Sequence, residues 1–122
     1  MKMKKACAAI PGILFLSVLL LGACTVERRK SDAELGLNEQ QARGRHIYDR
    51  HCIRCHEPYS SREIQGPSLK GIFKKEQFPS GIKANDQRMV DVIEMGKSKM
   101  PSFRGVLTTD QLADLLAYLH TL

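Results

Sequence analysis

Two cysteines and a histidine form the part of this chain with the clearest potential for chemistry. Cys52 and Cys55 are separated by two residues, and His56 follows at once. Two thiols at this spacing can form thioethers with the vinyl groups on one edge of a porphyrin, and the adjacent imidazole can then bind the iron. The motif therefore predicts one covalently attached haem of the c type, with His56 as an axial ligand.

Zinc binding and thiol redox chemistry are the alternatives for the same residues. A four-ligand zinc site needs a second pair of ligands at a distance. Neither other cysteine is available, because Cys7 lies in the N-terminal leader and Cys24 is the predicted lipid site, both described below. A thioredoxin-like motif needs a βαβ setting, and the sequence has no strand pattern. Haem attachment is therefore the preferred interpretation.

The second axial ligand must come from elsewhere in the chain. The candidates are Met89, Met95, Met100, His46, His51 and His120. We prefer Met100 because it lies in a predicted loop, next to Pro101, far enough along the chain to close over the haem. A thioether ligand favours Fe(II) and raises the reduction potential, so a pairing of His56 with Met100 indicates electron transfer.

The first 23 residues have the pattern of an export signal. Met1–Lys5 is basic, and Ile10–Ala23 is apolar but too short to span a bilayer comfortably. Leu21–Cys24 (LGAC) resembles the box at which bacterial lipoproteins are lipidated on cysteine. We predict a signal peptide over residues 1–23 and a lipid on Cys24, which places the domain on a membrane in the periplasm. The alternatives are an uncleaved anchor and an accidental cysteine after an ordinary signal peptide.

The remaining chain divides into two parts. Residues 24–37 are polar with little periodicity, which is typical of a flexible tether. Residues 38–122 are left to fold as one small domain with a thin core, to which an attached haem would add apolar surface.

The charge of the chain gives no support for a nucleic acid partner. The sequence has 19 Lys and Arg against 13 Asp and Glu, a formal charge of +6. Three of those lysines lie in the leader, and two ionised haem propionates would lower the charge of the rest to about +1. The basic residues also alternate with acidic ones, as on an ordinary solvated surface.

The domain sequence predicts helices and no strands. Asn38 is a candidate N-cap for a helix that runs to His51, with a glutamine three residues on. Thr108 caps a terminal helix with an apolar stripe of Leu112, Leu115, Leu116 and Leu119. Between these we expect a short helix over residues 70–76 and a further helix over residues 87–95.

A glycine in the first helix indicates a helix–helix contact. Gly44 costs about 1 kcal/mol relative to alanine in mid-helix, so it needs a structural reason. It shares a helix face with Tyr48, four residues on. A glycine on that face lets another helix approach, and the terminal helix, with Tyr118 at the edge of its stripe, is the expected partner.

In this order the elements resemble the class I cytochrome c family, whose members carry one electron on one haem. Gly44 and Tyr48 precede Cys52 by eight and four residues, where the family has the glycine and aromatic residue of its first helix. Leu115 and Tyr118 match the leucine and aromatic residue of the terminal helix that crosses it. The resemblance implies a small all-α cytochrome c fold, with N- and C-terminal helices crossed around one covalent haem c.

Two further matches imply roles in the site. Gly66–Gly71 matches the family loop in which the proline carbonyl accepts a hydrogen bond from the proximal histidine, so Pro67 would orient His56. Without that match, Pro67 could be only a turn former. Met100, within Lys99–Phe103, matches the distal ligand. The lack of tryptophan and the short segment before Met100 indicate the compact bacterial branch of the family.

The resemblance implies an electron carrier and not an enzyme. Its partners would be membrane-associated or periplasmic redox proteins, and it would act as a monomer or as the haem subunit of a larger dehydrogenase or oxidase. A ligand-binding or peroxidase-type haem protein is a third alternative, which requires an open position on the iron. Some lysines form either a docking patch at the haem edge or a solvated face: Lys70, Lys74, Lys75, Lys97 and Lys99.

Overall fold

The computed structural model describes residues 29–122, in which the compact unit runs from Ser31 to Leu122. The unit contains a short 3-10 helix at Ile72–Lys74 and three α-helices, α1 (Glu39–His51), α2 (Asp86–Met95) and α3 (Thr109–Leu119). Within the unit the only β pairings are isolated bridges, so the prediction of an all-α domain is confirmed.

The leader cannot be compared with this fold. The predicted signal peptide over residues 1–23 and the predicted lipid site at Cys24 lie outside the described residues. Within the part that is described, no helix combines the length and the apolar character needed to cross a membrane.

Both α1 and α3 begin at the capping residues that the sequence predicts. Asn38 Oδ1 accepts a hydrogen bond from the Gln41 backbone N–H at 2.9 Å, and Gln41 Oε1 accepts one from the Asn38 N–H at 3.0 Å. Thr108 and Gln111 form the same reciprocal pair before α3. These bonds satisfy N–H groups that have no partner inside the helix.

The packing of α1 on α3 forms the centre of the core. Tyr48 and Tyr118 have no exposed surface, and their rings meet edge to face with centroids 5.3 Å apart. A Cβ at Gly44 would overlap the backbone carbonyl of Asp114 and would lie 2.8 Å from the Cβ of Tyr118. The structure confirms that Gly44 is needed for close approach of the two helices.

The segment between α1 and α2 is less helical than its sequence predicts. A short helix is expected over residues 70–76, but only Ile72–Lys74 form one, of the 3-10 type. Gly71 precedes it with φ 63°, and Lys75 follows in an extended conformation. Both backbones are incompatible with an α-helix, so the helix cannot extend in either direction.

The chain before α1 is more ordered than a simple tether. The last part of the predicted tether, residues 31–37, belongs to the compact unit. It forms a closed turn in which the Leu35 and Leu37 N–H groups donate to the carbonyls of Ser31 and Asp32 at 3.1 and 3.0 Å. Leu37 packs against the core. Residues 31–37 therefore contact the rest of the compact unit.

Replacing Gly44 by alanine tests the contact between α1 and α3. Because the added methyl group meets backbone and not a movable side chain, we expect the free energy of unfolding to fall by about 2–3 kcal/mol. Chemical denaturation of the holoprotein measures this. The matched control is Arg50→Ala on the exposed side of α1, with an expected change within about 0.5 kcal/mol. Equal stability of the Gly44 variant and the control would contradict the packing described here.

Candidate haem site

A cavity of about 570 Å³ opens at the C-terminal end of α1. Its volume lies within the range of natural cofactor pockets. Apolar side chains from α2, α3 and the 3-10 helix form much of its wall, among them Ile72, Met89, Ile93, Leu115 and Leu119. All five residues that the sequence assigns to the haem line it: Cys52, Cys55, His56, Pro67 and Met100.

The Cys52–His56 motif forms a turn directly after α1. The Cys52 N–H donates to the Tyr48 carbonyl at 2.8 Å, and the N–H groups of Cys55 and His56 donate to the Cys52 carbonyl at 3.0 and 2.9 Å. This turn brings both cysteines and the histidine to the same cavity. Neither cysteine is in a disulfide, so both sulfurs are available for thioether bonds.

The structure gives no support for a zinc site at these cysteines. Burial, followed by the proximity of Cys55, raises the pKa of the Cys52 thiol to about 12. When no metal is bound, this environment therefore favours the neutral thiol. Within residues 29–122, no three His, Cys, Asp or Glu side chains are grouped so that they could hold a metal ion.

The imidazole of His56 is held in one orientation. Its Nδ1–H donates to the Pro67 carbonyl, with 2.8 Å between nitrogen and oxygen. Since a carbonyl can only accept, Nδ1 carries a proton, and in the neutral imidazole the lone pair is then on Nε2. The structure therefore contains the hydrogen bond that the family resemblance implies, and it leaves Nε2 free to bind iron.

Two further residues, which sequence reasoning did not assign to the site, help to hold His56 in place. The Tyr48 hydroxyl donates to the His56 carbonyl at 2.7 Å, so a core residue of α1 also holds the turn. A Cβ at Gly66 would lie 2.5 Å from His56 Cε1 and 2.9 Å from Nδ1. The glycine before Pro67 was visible in the sequence, but its contact with the imidazole depends on tertiary structure.

Met100 is presented to the cavity by a tight turn. The Lys97 N–H donates to the Met100 carbonyl at 3.1 Å, and the Met100 N–H donates back to the Lys97 carbonyl at 2.9 Å. Ser98, in the middle of the turn, has φ 54°, a conformation that few residues other than glycine adopt. The Met100 side chain is partly buried against the core.

The structure reduces the six candidates for the second axial ligand to three. Met95 is 64 % exposed, and the His46 side chain is 77 % exposed. His120 Nε2 lies 2.7 Å from Asp86 Oδ1, and His120 does not line the cavity. The candidates that do line it are His51, Met89 and Met100.

Two of the five lysines considered for a docking patch lie at the cavity. Lys97 and Lys99 line it, on the turn that presents Met100. Lys74 instead donates from Nζ to the Leu122 backbone oxygen at 2.9 Å. Lys70 and Lys75 do not line the cavity. The five lysines therefore do not form a single ring around the opening of the cavity.

These residues fit a covalently held haem. The cavity has an apolar wall, two reduced cysteines at one edge, an imidazole with its Nε2 free, and thioether side chains in Met89 and Met100. The donor set is soft and nitrogenous, as expected for a low-spin haem iron, and unlike the oxygen-rich sites of hard cations.

Comparison with known proteins agrees with this geometry. The family model described as "Cytochrome C oxidase, cbb3-type, subunit III" matches residues 39–119. The chain is 23 % identical over 77 residues to cytochrome c6 of Diacronema lutheri, covering 63 % of this chain and 89 % of that protein. It is 29 % identical over 79 residues to cytochrome c6 of Chlorolobion braunii, covering 65 % of this chain and 86 % of that protein.

The matched region spans all three helices and the cavity between them. Together with the attachment motif on the cavity wall, these matches show that the chain belongs to the class I c-type cytochromes, as a mono-haem electron carrier that holds haem c through Cys52 and Cys55.

Proposed function

We propose that this electron carrier is an exported lipoprotein whose haem iron is bound by His56 and Met100. The observation that carries the assignment of His56 is the hydrogen bond from its Nδ1–H to the Pro67 carbonyl at 2.8 Å. It fixes the tautomer needed for Nε2 ligation before any iron is bound. Bound haem supplies a one-electron Fe(III)/Fe(II) couple.

In electron transfer, the role of the protein is to keep the geometry of the site unchanged while the charge on the iron changes. The Pro67 hydrogen bond prevents rotation of the imidazole and makes Nε2 a better donor. The apolar wall, including Ile72 and Leu115, disfavours water beside a bound haem. A fixed donor set in a dry pocket needs little rearrangement, which is what an electron carrier requires.

Met100 is the better choice among the cavity residues for the sixth ligand. His51 immediately precedes Cys52, whose attachment places it beside the haem edge. Met89 is 7 % exposed and sits within α2 among core side chains, where a methionine fills space. Met100 instead projects from a turn closed by its own backbone hydrogen bonds, which can hold a sulfur at a set position.

A second candidate function is the haem subunit of a larger oxidoreductase. The description of the matching family model, a subunit of a cbb3-type cytochrome c oxidase, favours it. The haem site would be the same in both cases, and only the partner would differ. Purification from mild detergent extracts distinguishes them, because a subunit is recovered in a stable complex and a free carrier is recovered alone.

A Met100→Ala variant tests the axial assignment. We expect loss of the ferric methionine-to-iron charge-transfer absorption band and a lower reduction potential, because the soft thioether is removed. The measurements are the ferric absorption spectrum and a redox titration. The matched control is Met89→Leu, which changes a buried cavity methionine and should keep the band. If the band persists in Met100→Ala, the assignment is wrong, and its disappearance in Met89→Leu would then indicate Met89 as the ligand.

A Gly66→Ala variant tests the orientation of His56. The added methyl group would lie 2.5 Å from the imidazole, so we expect a loss of about 1–3 kcal/mol in the free energy of unfolding. We also expect a larger high-spin fraction, because the tilted ring binds iron less well. Denaturation and absorption spectra measure the two effects, with the exposed Ser61→Ala as control. An unchanged spin state would show that Gly66 does not position the ligand.

A Cys24→Ser variant tests the lipid anchor. Export is inferred from the basic and apolar leader and anchoring from Leu21–Cys24. Fractionation of cells should recover the native protein with the membranes and the variant as a haem-loaded soluble protein. A variant that stays with the membranes contradicts lipidation at Cys24.

A further inference from the structure

The chain between the leader and α1 contains a fastened turn, which we call the strap and define as Ser31–Leu37. Glu34 Oε2 accepts hydrogen bonds from the Ser31 N–H and hydroxyl at 2.6 and 2.7 Å. The backbone N–H groups of Leu35 and Leu37 donate to carbonyls within the same turn. Hydrogen bonds within the strap thus hold it in one turn conformation, whereas a polar tether would adopt random conformations.

The strap is also fastened to α1 by charge. Asp32 Oδ1 lies 2.5 Å from Arg45 Nη1, and Asp32 Oδ2 lies 4.0 Å from His46 Nε2. Arg45 is only 7 % exposed, and Asp49 Oδ2 lies 3.9 Å from its Nε. A buried guanidinium needs its carboxylate partners, so loss of Asp32 would be costly. At the other end of the strap, Leu37 packs against the core.

We propose that the strap, held by Asp32 and Arg45, shortens the connection between the membrane anchor and the haem domain and so confines the carrier to the bilayer surface. This rests on lipidation of Cys24 under the proposed function. Only six residues separate Cys24 from Ser31, against thirteen from Cys24 to Asn38. The greatest reach of the connection is therefore about 25 Å with the strap docked and about 50 Å with it released.

The short connection limits which partners can be reached. A domain of this size is about 30 Å across, so a reach of about 25 Å keeps it next to the lipid headgroups. The strap grips α1 at Arg45, seven residues before the haem attachment at Cys52, or about 10 Å along the helix. The docked strap thus lowers the greatest distance between the haem edge and the bilayer by about 25 Å. The partner that fits is a membrane-embedded redox protein that exchanges electrons at the bilayer surface.

The first test examines the strap without any lipid. It uses the Cys24→Ser holoprotein with and without Asp32→Asn, and hydrogen–deuterium exchange followed by mass spectrometry. Removing a charged partner should speed amide exchange in residues 31–37 by about tenfold or more, with exchange in α3 unchanged. Glu39→Gln, the same charge change at an exposed site nearby, is the matched control. Equal exchange in Asp32→Asn and the control overturns the proposal.

The second test measures the distance to the membrane. Native lipidated protein and its Asp32→Asn and Glu39→Gln variants are placed in vesicles of zwitterionic lipid that carry a fluorophore on the headgroup, which the haem quenches by energy transfer. We expect strong quenching in the native protein and Glu39→Gln, and clearly weaker quenching in Asp32→Asn. Equal quenching in all three overturns the proposal.

The two tests separate this proposal from the one on which it rests. If the Cys24→Ser chain binds these vesicles as well as the native chain, the lipid anchor is wrong, and the confinement to the bilayer fails with it. If the anchor is present but the exchange or quenching results show no effect of Asp32, only the strap is wrong.

Discussion

The close contact between α1 and α3 at Gly44 determines where the functional residues of this cytochrome lie. Only a residue without a Cβ lets the α1 backbone come so near the Asp114 carbonyl. That approach brings Tyr48 against Tyr118, and the Tyr48 hydroxyl then holds the His56 carbonyl. The side chain of Tyr48 therefore connects the packing of α1 on α3 to the Cys52–His56 turn, which carries the haem attachment motif.

The second constraint is the hydrogen bond between His56 and Pro67. It has two consequences, because it fixes both the direction of the imidazole and the nitrogen that carries the proton. Gly66 allows the loop to come this close. The packing of the helices forms the cavity. The loop at Gly66 and Pro67 then orients the His56 imidazole, whose Nε2 is the candidate iron ligand in that cavity.

Local features of the chain were predictable because they depend on neighbouring residues. The spacing of Cys52, Cys55 and His56 is a covalent requirement, and the caps at Asn38 and Thr108 need only a partner three residues away. The structure contains both caps and brings the motif to one cavity. Gly44 was also predictable, since a glycine in mid-helix needs a tertiary reason.

Features that depend on distant contacts were not predictable in the same way. The pairing of Asp32 with Arg45 joins residues in a stretch without hydrophobic periodicity, and local sequence reasoning therefore assigned residues 31–37 to a flexible tether. The proximity of Gly66 to the His56 ring likewise depends on how the loop folds back. The predicted helix over residues 70–76 was too long because Gly71 has a left-handed backbone conformation. That conformation depends on the surrounding structure and could not be read from the local sequence.

We propose that His56 and Met100 occupy both axial positions of the haem iron, which therefore carries electrons without binding other molecules. The measurement that tests it most directly is the spectrum of the reduced native protein at neutral pH, before and after addition of carbon monoxide. The account predicts a low-spin, six-coordinate spectrum that carbon monoxide leaves unchanged. A five-coordinate, high-spin spectrum, or rapid formation of a carbon monoxide complex, would contradict it.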